Sequence, residues 1–370
     1  MVANRSITVW ILLLFISVVV RQISASDDVT DDSSPIRVGI LHSRTGTMQI
    51  SEESLVHAAL LAIEEINSSG GLLGRQLLPI VKDGESDPEI FKQRAIQLIE
   101  NDGVCTIFGC WTSDCRKAVL PIIESRQRLL WYPVQYEGGE SSDWVIYTGA
   151  APNQQIIPAM QWCLEHIKVD QGIIDPRDVK VFLVGSDYLF PIEANRITKA
   201  FLKERGANVV GEEYRPRGDM RFEEIAQKIK HEQPHVILNT VNGDSNIAFF
   251  EALGGIYNSE NSSPLVMSLS IAEDEIRSMG TRFRRSISSN FHLRHYCTWN
   301  YFQSLDTPEN REFVKRFKSY CEKHKLPGGF SRVTDDPIEA SYFQVHLFAK
   351  AVKKAKSTDS KAIRDVVRGL

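Results

Sequence analysis

The sequence has little of what marks several classes of protein. Its 370 residues include six cysteines, and 43 lysines and arginines stand against 47 aspartates and glutamates, a net charge of −4. Six scattered cysteines are too few for a disulfide framework. No basic block is present that would neutralise a run of phosphates, so nucleic acid is not an expected partner. A small solute is the favoured partner.

Patterns for metal binding and catalysis are also scarce. Three cysteines spaced by five residues match no zinc pattern and are expected to be small buried apolar residues: Cys105, Cys110 and Cys115. The string from His231 to His235 matches the zinc-protease pattern, but Pro234 breaks the helix that such a site requires. Ser113 lacks the flanking glycines of an esterase elbow and a visible histidine and acid partner. The sequence therefore predicts no enzyme, no metal and no cofactor.

The amino terminus has the pattern of a secretory signal. An apolar run of 14 residues, Ile7 to Val20, follows Arg5 and precedes small residues at 24–26. The run is short for a membrane-spanning helix, which needs about 20 residues, although an uncleaved anchor is the alternative. We expect residues 1–26 to be a signal peptide, residues 27–35 to be an acidic leader, and the mature protein to be secreted or periplasmic.

The remaining composition, 42% apolar and 24% charged, is that of a globular protein. Since single hydrophobic cores stop growing near about 250–300 residues, the length predicts two lobes. After Pro35, short apolar runs alternate with segments of helical periodicity, which is typical of parallel sheets covered by helices on both faces. We therefore expect an α/β fold with two doubly wound, Rossmann-like lobes.

The predicted strands are Arg37–Leu41, Leu77–Val81, Val104–Phe108, Leu129–Pro133, Val145–Tyr147, Val179–Val184, Val209–Glu213, His235–Val241 and Leu265–Leu269. The predicted helices are Glu52–Asn67, Glu89–Asn101, Cys115–Ser125, Gln154–Ile167, Ile192–Arg205, Arg221–Glu232, Ser245–Ile256, Pro308–His324, Pro337–Lys354 and Ser360–Val367. Residues 282–295 are locally basic and are expected to form an exposed loop, with a docking surface for a partner as the alternative.

Polar and aromatic residues are concentrated directly after the predicted strands. In doubly wound sheets, ligands bind outside the carboxyl ends of strands. Five of these loops are rich in hydroxyls, amides and rings, with few unpaired charges: residues 42–47, 109–113, 132–136, 185–188 and 242–245. Such groups suit a neutral polar ligand held by hydrogen bonds between rings. Taken singly, the same residue types are ordinary in turns and helix caps.

Several long strings, in the same order, resemble the urea and short-chain amide substrate-binding proteins of ABC transporters. They are GCWTS at 109–113, RKAVLP at 116–121, WYPVQYEG at 131–138, YTGAAPNQQ at 147–155, GSDY at 185–188, NTVNGDSN at 239–246 and WNYF at 299–302. The similarity runs from about Ile36 to the end of the sequence. It implies a type 1 periplasmic binding fold, similar to that of branched-chain amino-acid binding proteins, with two hinged lobes that close on a ligand.

The resemblance also implies the lobe boundaries. The first lobe would hold residues 36–148 and 301–370, the second residues 149–300, with three crossovers between them. The family has a last crossover and final strands of the second lobe beyond the position of Leu370, so we expect those strands to be missing. The segment from Met279 to Cys297 is several residues longer than in the family.

Site residues are implied in the same way. The Ser113 hydroxyl and the backbone around Thr112 would bond the ligand carbonyl and amide from a helix start. Rings and an aliphatic side chain would wall the ligand, and Asn242 and Asp244 would accept from its NH₂ groups. The full set of expected ligand-binding residues is Trp111, Thr112, Ser113, Tyr132, Val134, Gln135, Tyr188, Phe190, Asn242 and Asp244.

Three positions favour urea over amides. In amide-binding relatives the positions of Trp111 and Phe190 are tyrosines and that of Val134 is a threonine. An amide in place of urea would exchange NH₂ for CH₃ and leave an acceptor such as Asp244 unpaired.

The function expected from this resemblance is that of an extracytoplasmic protein that captures urea or a short-chain amide by lobe closure and delivers it to the membrane permease subunits of an ABC transporter. The alternative is a ligand-sensing domain of an amide- or urea-responsive receptor or regulator. A hydrolase of amides or urea is disfavoured because neither a metal cluster nor a catalytic triad is visible.

Overall fold

Two parallel sheets form the framework of the protein. The computed structural model describes residues 34–257, 263–281 and 294–370, and within them each sheet has five strands. The first sheet contains β1 (Ile36–His42), β2 (Leu77–Asp83), β3 (Thr106–Gly109), β4 (Leu129–Tyr132) and β5 (Val145–Tyr147). The second contains β6 (Lys180–Ser186), β7 (Asn208–Arg215), β8 (Val236–Thr240), β9 (Leu265–Ser268) and β10 (Arg294–Cys297).

Both sheets have the same strand order. The first runs β2-β1-β3-β4-β5 and the second, from its opposite edge, β7-β6-β8-β9-β10. The described strand pairs of both sheets are parallel, for example Gly39 with Ile107 in the first sheet and Leu183 with Leu238 in the second. The predicted α/β fold with two doubly wound, Rossmann-like lobes is confirmed. In such a sheet the carboxyl ends of all strands lie along one edge.

The central strands of both sheets are buried on both faces. Every residue of β3, β4, β8 and β9 is buried, and in β1 one residue, Arg37, is exposed. Such continuous apolar runs are typical of parallel sheets covered by helices on both sides.

The helices are α1 (Gln49–Ser68), α2 (Pro88–Ile96), α3 (Ser113–Arg126), α4 (Ile156–Gln171), α5 (Leu189–Arg205), α6 (Glu223–Glu232), α7 (Ser245–Ile256), α8 (Glu273–Ser278), α9 (Pro308–Lys323), α10 (Asp336–Ala355) and α11 (Ser360–Val367). Side chains at several starts cap the exposed amides. Asp87 accepts from the N–H groups of Glu89 and Ile90 at 2.8 and 3.1 Å, and Pro88 occupies the first turn. This is the arrangement that the Asp-Pro pair predicts.

Each sheet is packed on both faces. On the first sheet, α10 places Phe348 edge-on against Phe108 and Trp131, with ring centroids 5.6 and 6.0 Å apart. Phe313 and Phe317 of α9 join the apolar cluster on the opposite face. The chain after residue 301 thus packs on the first sheet, as the expected first lobe requires, although the lobe boundaries stay a prediction.

Some sequence expectations were wrong in detail. β10 begins at the end of the stretch 282–295 that was expected to be an exposed loop, and it pairs with β9 from Arg294 to Cys297. The short helix α8 was not predicted, and the helix expected at 89–101 changes after Ile96 to a π-helical turn, Gln97–Asn101. Cys105 is half-buried rather than buried, whereas Cys110 and Cys115 are buried as expected.

Two sets of sequence predictions lie outside the described residues. They are the signal peptide at 1–26 with most of the leader at 27–35, and residues 282–293 of the long segment between Met279 and Cys297. Among the helices that the structure describes, none has the length and apolar character needed to cross a membrane.

Candidate ligand-binding site

In each sheet there is one point from which successive strands are added first to one side and then to the other. This point lies between β1 and β3 in the first sheet and between β6 and β8 in the second. Open α/β sheets bind ligands in the crevice at this place. The loops after β1 and β8 meet: the Thr47 hydroxyl donates to the Asp244 carboxylate, and the Asp244 N–H donates to the Thr47 carbonyl at 3.2 Å. The crevices at the carboxyl ends of the two sheets therefore face each other.

Ser113 begins α3 directly after β3, and it is fully buried. Its hydroxyl donates to Glu137 Oε2 at 2.6 Å and accepts from Arg116 Nη1 at 3.2 Å. Since the hydroxyl proton is engaged by Glu137, the oxygen of Ser113 is better suited to accept from a ligand N–H than to donate to a carbonyl. The backbone N–H groups at the start of α3 are the donors suited to a carbonyl oxygen.

Arg116 and Lys117 neutralise Glu137 and Glu140 beneath Ser113, and Lys117 pairs with Glu140 Oε2. Arg116 Nη2 bonds Glu137 Oε1 at 2.6 Å, and its Nε bonds Glu140 Oε1 at 2.9 Å. Burial alone would lower the pKa of Arg116, but Tyr132, Glu137 and Glu140 outweigh it and raise the pKa above its ordinary value. The guanidinium also lies 4.8 Å from the centre of the Tyr132 ring. These charges are satisfied within the protein and leave this part of the site without an unpaired ion.

The expected wall residues are buried in the apolar cores. The Tyr132 hydroxyl donates to the Trp111 carbonyl, and both residues pack with Val134 in one cluster of the first sheet. Tyr188 and Phe190 lie in a cluster of the second sheet. Burial raises the pKa of Tyr188 well above its ordinary value, and charges on Asp114 and other first-lobe groups act on it from across the interface.

Gln135 bridges the two sheets. Its Nε2 donates to the carbonyl of Leu269, after β9, at 2.9 Å, whereas its buried Oε1 has no hydrogen-bond partner. The hydroxyl of Ser270, the residue after Leu269, is also buried and without a partner. Buried polar atoms are rarely left unpaired. Two acceptors next to a point of contact between the sheets are therefore available to the N–H groups of a ligand.

Asn242 and Asp244 follow β8, as expected, and the structure engages both in internal bonds. Asn242 Nδ2 donates to the Thr240 carbonyl at 3.0 Å, and its backbone N–H donates to Ser186 Oγ at 2.9 Å. Asp244 is held by Thr47, as described above. Their contact with a ligand stays a prediction, as does that of the other expected site residues.

Sequence reasoning missed several residues of this region. Glu137 and Arg116 lie within the strings that carry the resemblance, but their pairing with Ser113 depends on the fold. Ser270 had a visible signal, because it follows a predicted strand at its carboxyl end. Thr47 lies in one of the loops identified after the strands, whereas Arg217, described below, follows β7 and was not singled out.

Metal and nucleophilic chemistry find no support in the described part of the chain. No three histidine, cysteine, aspartate or glutamate side chains are arranged there so that they could hold a metal ion. α6 ends at Glu232 and β8 begins at Val236, so the two histidines of the zinc-protease string do not share a helix. Burial raises the pKa of the Cys110 thiol to about 12, which keeps it protonated and a poor nucleophile.

Three buried carboxyls lie where α8 approaches the start of α10. Asp274 accepts from the Ser54 hydroxyl of α1 and from Arg277 Nε at 2.8 Å. Asp335 accepts from the Asp274 N–H at 3.2 Å. Burial, with the Asp274 charge second, raises the pKa of Glu275 to about 7. These carboxyls connect the first-sheet helix α1 to the segment that follows β9.

Comparison with known proteins gives a family. The family model described as "Periplasmic binding protein domain" matches residues 36–370. A curated relative, Leu/Ile/Val-binding protein homolog 7 of Brucella abortus, is 23% identical over 226 residues. That match covers 59% of this chain and 55% of the relative, so the chain matches about half the length of that protein.

Solved structures share the fold at low identity. The branched-chain amino acid transporter substrate binding protein LivJ of Streptococcus pneumoniae, in complex with isoleucine, has a TM-score of 0.70 at 19% identity, covering 90% of this chain and 87% of that one. A fatty acid ABC transporter substrate-binding protein of Thermomonospora curvata has a TM-score of 0.74 at 20% identity, covering 90% and 80%. A solute binding protein of Rhodopseudomonas palustris, in complex with p-hydroxybenzoic acid, has a TM-score of 0.74 at 20% identity, covering 90% and 84%.

Proposed function

We propose, because the chain belongs to the periplasmic binding protein family, that it is an extracytoplasmic solute-binding protein that takes up urea or a short-chain amide between its lobes and delivers it to an ABC-type permease. Members of this family bind solutes and are not enzymes. The proposal has two parts, the receptor role and the ligand class, and the second rests on the site.

The observation that carries the ligand class is that the charges beneath Ser113 are paired within the protein. The Asp244 carboxylate, the one charged group in the expected set, accepts from the Thr47 hydroxyl and offers no positive charge to a ligand carboxylate. Arg116 and Glu137 pair at 2.6 Å, both buried, and Ser113 bonds to both. An α-amino acid brings an ammonium and a carboxylate, and each would require an opposite charge or several strong hydrogen bonds once desolvated. A neutral ligand requires hydrogen bonds only.

Unpartnered acceptors favour a ligand with several N–H groups. Gln135 Oε1 and Ser270 Oγ are buried without a partner, and the Ser113 hydroxyl gives its proton to Glu137, so towards a ligand its oxygen can act only as an acceptor. Urea has four N–H donors and one carbonyl oxygen, which the backbone N–H groups at the start of α3 are suited to bond. A primary amide has two N–H donors and would leave more of these acceptors unsatisfied, at a cost in affinity. Urea is therefore the favoured member of the class.

Isothermal titration calorimetry tests both parts. Urea, acetamide, formamide and leucine are titrated into the purified chain and into Ser113→Ala, with Ser125→Ala as a control, because Ser125 lies on the same helix but is exposed. We expect saturable heat with urea, weaker heat with the amides and none with leucine, and we expect Ser113→Ala but not Ser125→Ala to weaken binding. Saturable binding of leucine alone would overturn the ligand class, and silence with all four titrants from folded protein would overturn the proposal.

A further inference from the structure

An ion pair spans the two sheets beside the expected site. Arg217, in the loop after β7, bonds Asp114 in the first turn of α3 through both terminal nitrogens, Nη1 to Oδ1 at 3.0 Å and Nη2 to Oδ2 at 2.7 Å. The side chains are 12% and 26% exposed. Such a bidentate, partly buried pair is stronger than an ordinary surface ion pair and fixes the relative orientation of its partners.

Both members of the pair are anchored in their own lobe. Asp114 Oδ1 also accepts from the Cys115 N–H at 3.0 Å, so the carboxylate sits at the amino-terminal end of α3. On the other side, the Gly218 N–H donates to Ser245 Oγ at 2.8 Å, which ties the loop of Arg217 to the start of α7. The pair therefore connects two helix starts, and both of its sides are held in place by further hydrogen bonds.

The same guanidinium covers an expected ligand-binding ring. Its carbon lies 4.9 Å from the centre of the Tyr188 ring. Burial alone would lower the pKa of Arg217, but Asp114, followed by Tyr188, outweighs it and raises the pKa. Asp114 is the residue after Ser113, so one side chain contacts both the helix start that carries Ser113 and the ring expected to close over the ligand.

We infer that Arg217 is a positioning residue for ligand capture: by pairing with Asp114 it holds the second-lobe Tyr188 against the first-lobe helix start and thereby slows the escape of bound ligand. The inference rests on the proposed function for its ligand but not for its geometry. The pair forms only when the lobes meet, so it stabilises the closed arrangement and affects ligand dissociation more than association.

The test compares Arg217→Met with Arg221→Met. Arg221 lies in the same region and pairs with Asp219 at 2.7 Å, but both belong to the second lobe. Both variants lose one positive charge, and only Arg217→Met removes the bond between lobes. Asp114→Asn breaks the same bond from the first lobe, and Arg217→Asp combined with Asp114→Arg restores a pair with reversed charges.

Two measurements are made on each variant. Stopped-flow tryptophan fluorescence gives the association and dissociation rates of urea. Small-angle X-ray scattering gives the radius of gyration without ligand, at low and high salt. For Arg217→Met we expect dissociation about tenfold faster, between the effects of exposed and buried pairs, and association changed by less than about twofold. We also expect a larger radius of gyration than that of the wild type, with a difference that shrinks at high salt.

The outcomes separate this inference from the proposed function. Equal dissociation rates and equal radii for Arg217→Met and Arg221→Met would overturn the inference even if urea binds. The inference would also be overturned if Asp114→Asn behaved like the wild type and the variant with reversed charges did not recover slow dissociation. If the wild type binds no urea or amide, the proposed function fails, and the radii of the same variants still decide whether Arg217 holds the lobes together. If Arg217→Met does not fold, Asp114→Asn gives the same comparison.

Discussion

Replacing Arg116 by methionine removes the positive member of a buried ion pair beneath Ser113. The side chains of Arg116 and Glu137 are 0% and 4% exposed, and their closest atoms are 2.6 Å apart. Methionine has a similar length and fills much of the same space, so the change is mainly one of charge. It leaves Glu137 buried with the Ser113 hydroxyl as its remaining described partner.

The expected cost follows from this burial. Breaking a buried pair by removing one partner costs about 3–5 kcal/mol, because the other charge stays in the interior without compensation. Since Ser113 still donates to Glu137, we expect a loss of about 3 kcal/mol. That is a large share of the roughly 5–15 kcal/mol by which a folded protein is stable.

The assay is equilibrium unfolding in guanidinium chloride, followed by circular dichroism. Guanidinium is used instead of urea because urea is the proposed ligand. Arg126→Met is the matched control, since Arg126 lies on the same helix and pairs with Glu100, but both side chains are more than 40% exposed. We expect the control to cost less than about 1 kcal/mol. If Arg116→Met cost no more than Arg126→Met, the argument that a buried, charge-neutral cluster holds Ser113 would be refuted.

Three further outcomes are expected. Gly109→Ala should destabilise the fold by more than about 1 kcal/mol in the same assay. Gly109 has a φ of +152°, and a Cβ there would lie 2.0 Å from the Leu41 carbonyl oxygen. The control Gly139→Ala, at a φ of +68° with no atom near the added Cβ, should cost less. Burial, with Asp336 second, raises the pKa of Glu339 to about 7 from 4.5, so the folded chain keeps a proton that the unfolded chain releases. The melting temperature should therefore fall as the pH rises from about 4.5 to 7, and it should fall less for Glu339→Gln. Ser270→Ala should weaken urea binding by calorimetry without lowering the melting temperature, since this hydroxyl has no partner within the protein; unchanged affinity would remove Ser270 from the site.

The sheets could be predicted because their strands are short apolar runs between helical segments. β8, with all five residues buried, is an example. β10 could not be predicted, because its sequence, RHYC, has no apolar run and all four residues are half-buried at a sheet edge. Its strand conformation comes from pairing with β9, which local sequence does not report.

The sequence could predict those residues of the expected site that are recognised from their neighbours in the chain, but not the side chains with which they pair. Ser113 and Asn242 follow strands, and the resemblance selects them. The partners that determine what Ser113 can do are 24 residues away at Glu137 and three away at Arg116, and the pair that spans the lobes joins residues 103 apart. Such pairs depend on how the strands are ordered, so they emerge from the fold and not from the motif.

The proposed capture of a small neutral ligand is tested most directly by a crystal structure of the chain grown with urea. We expect one urea between the two sheets, with N–H groups bonded to Gln135 Oε1 and Ser270 Oγ and its carbonyl oxygen at the start of α3. Water on these atoms in a closed protein grown with saturating urea would contradict it, and so would urea bound only elsewhere on the surface.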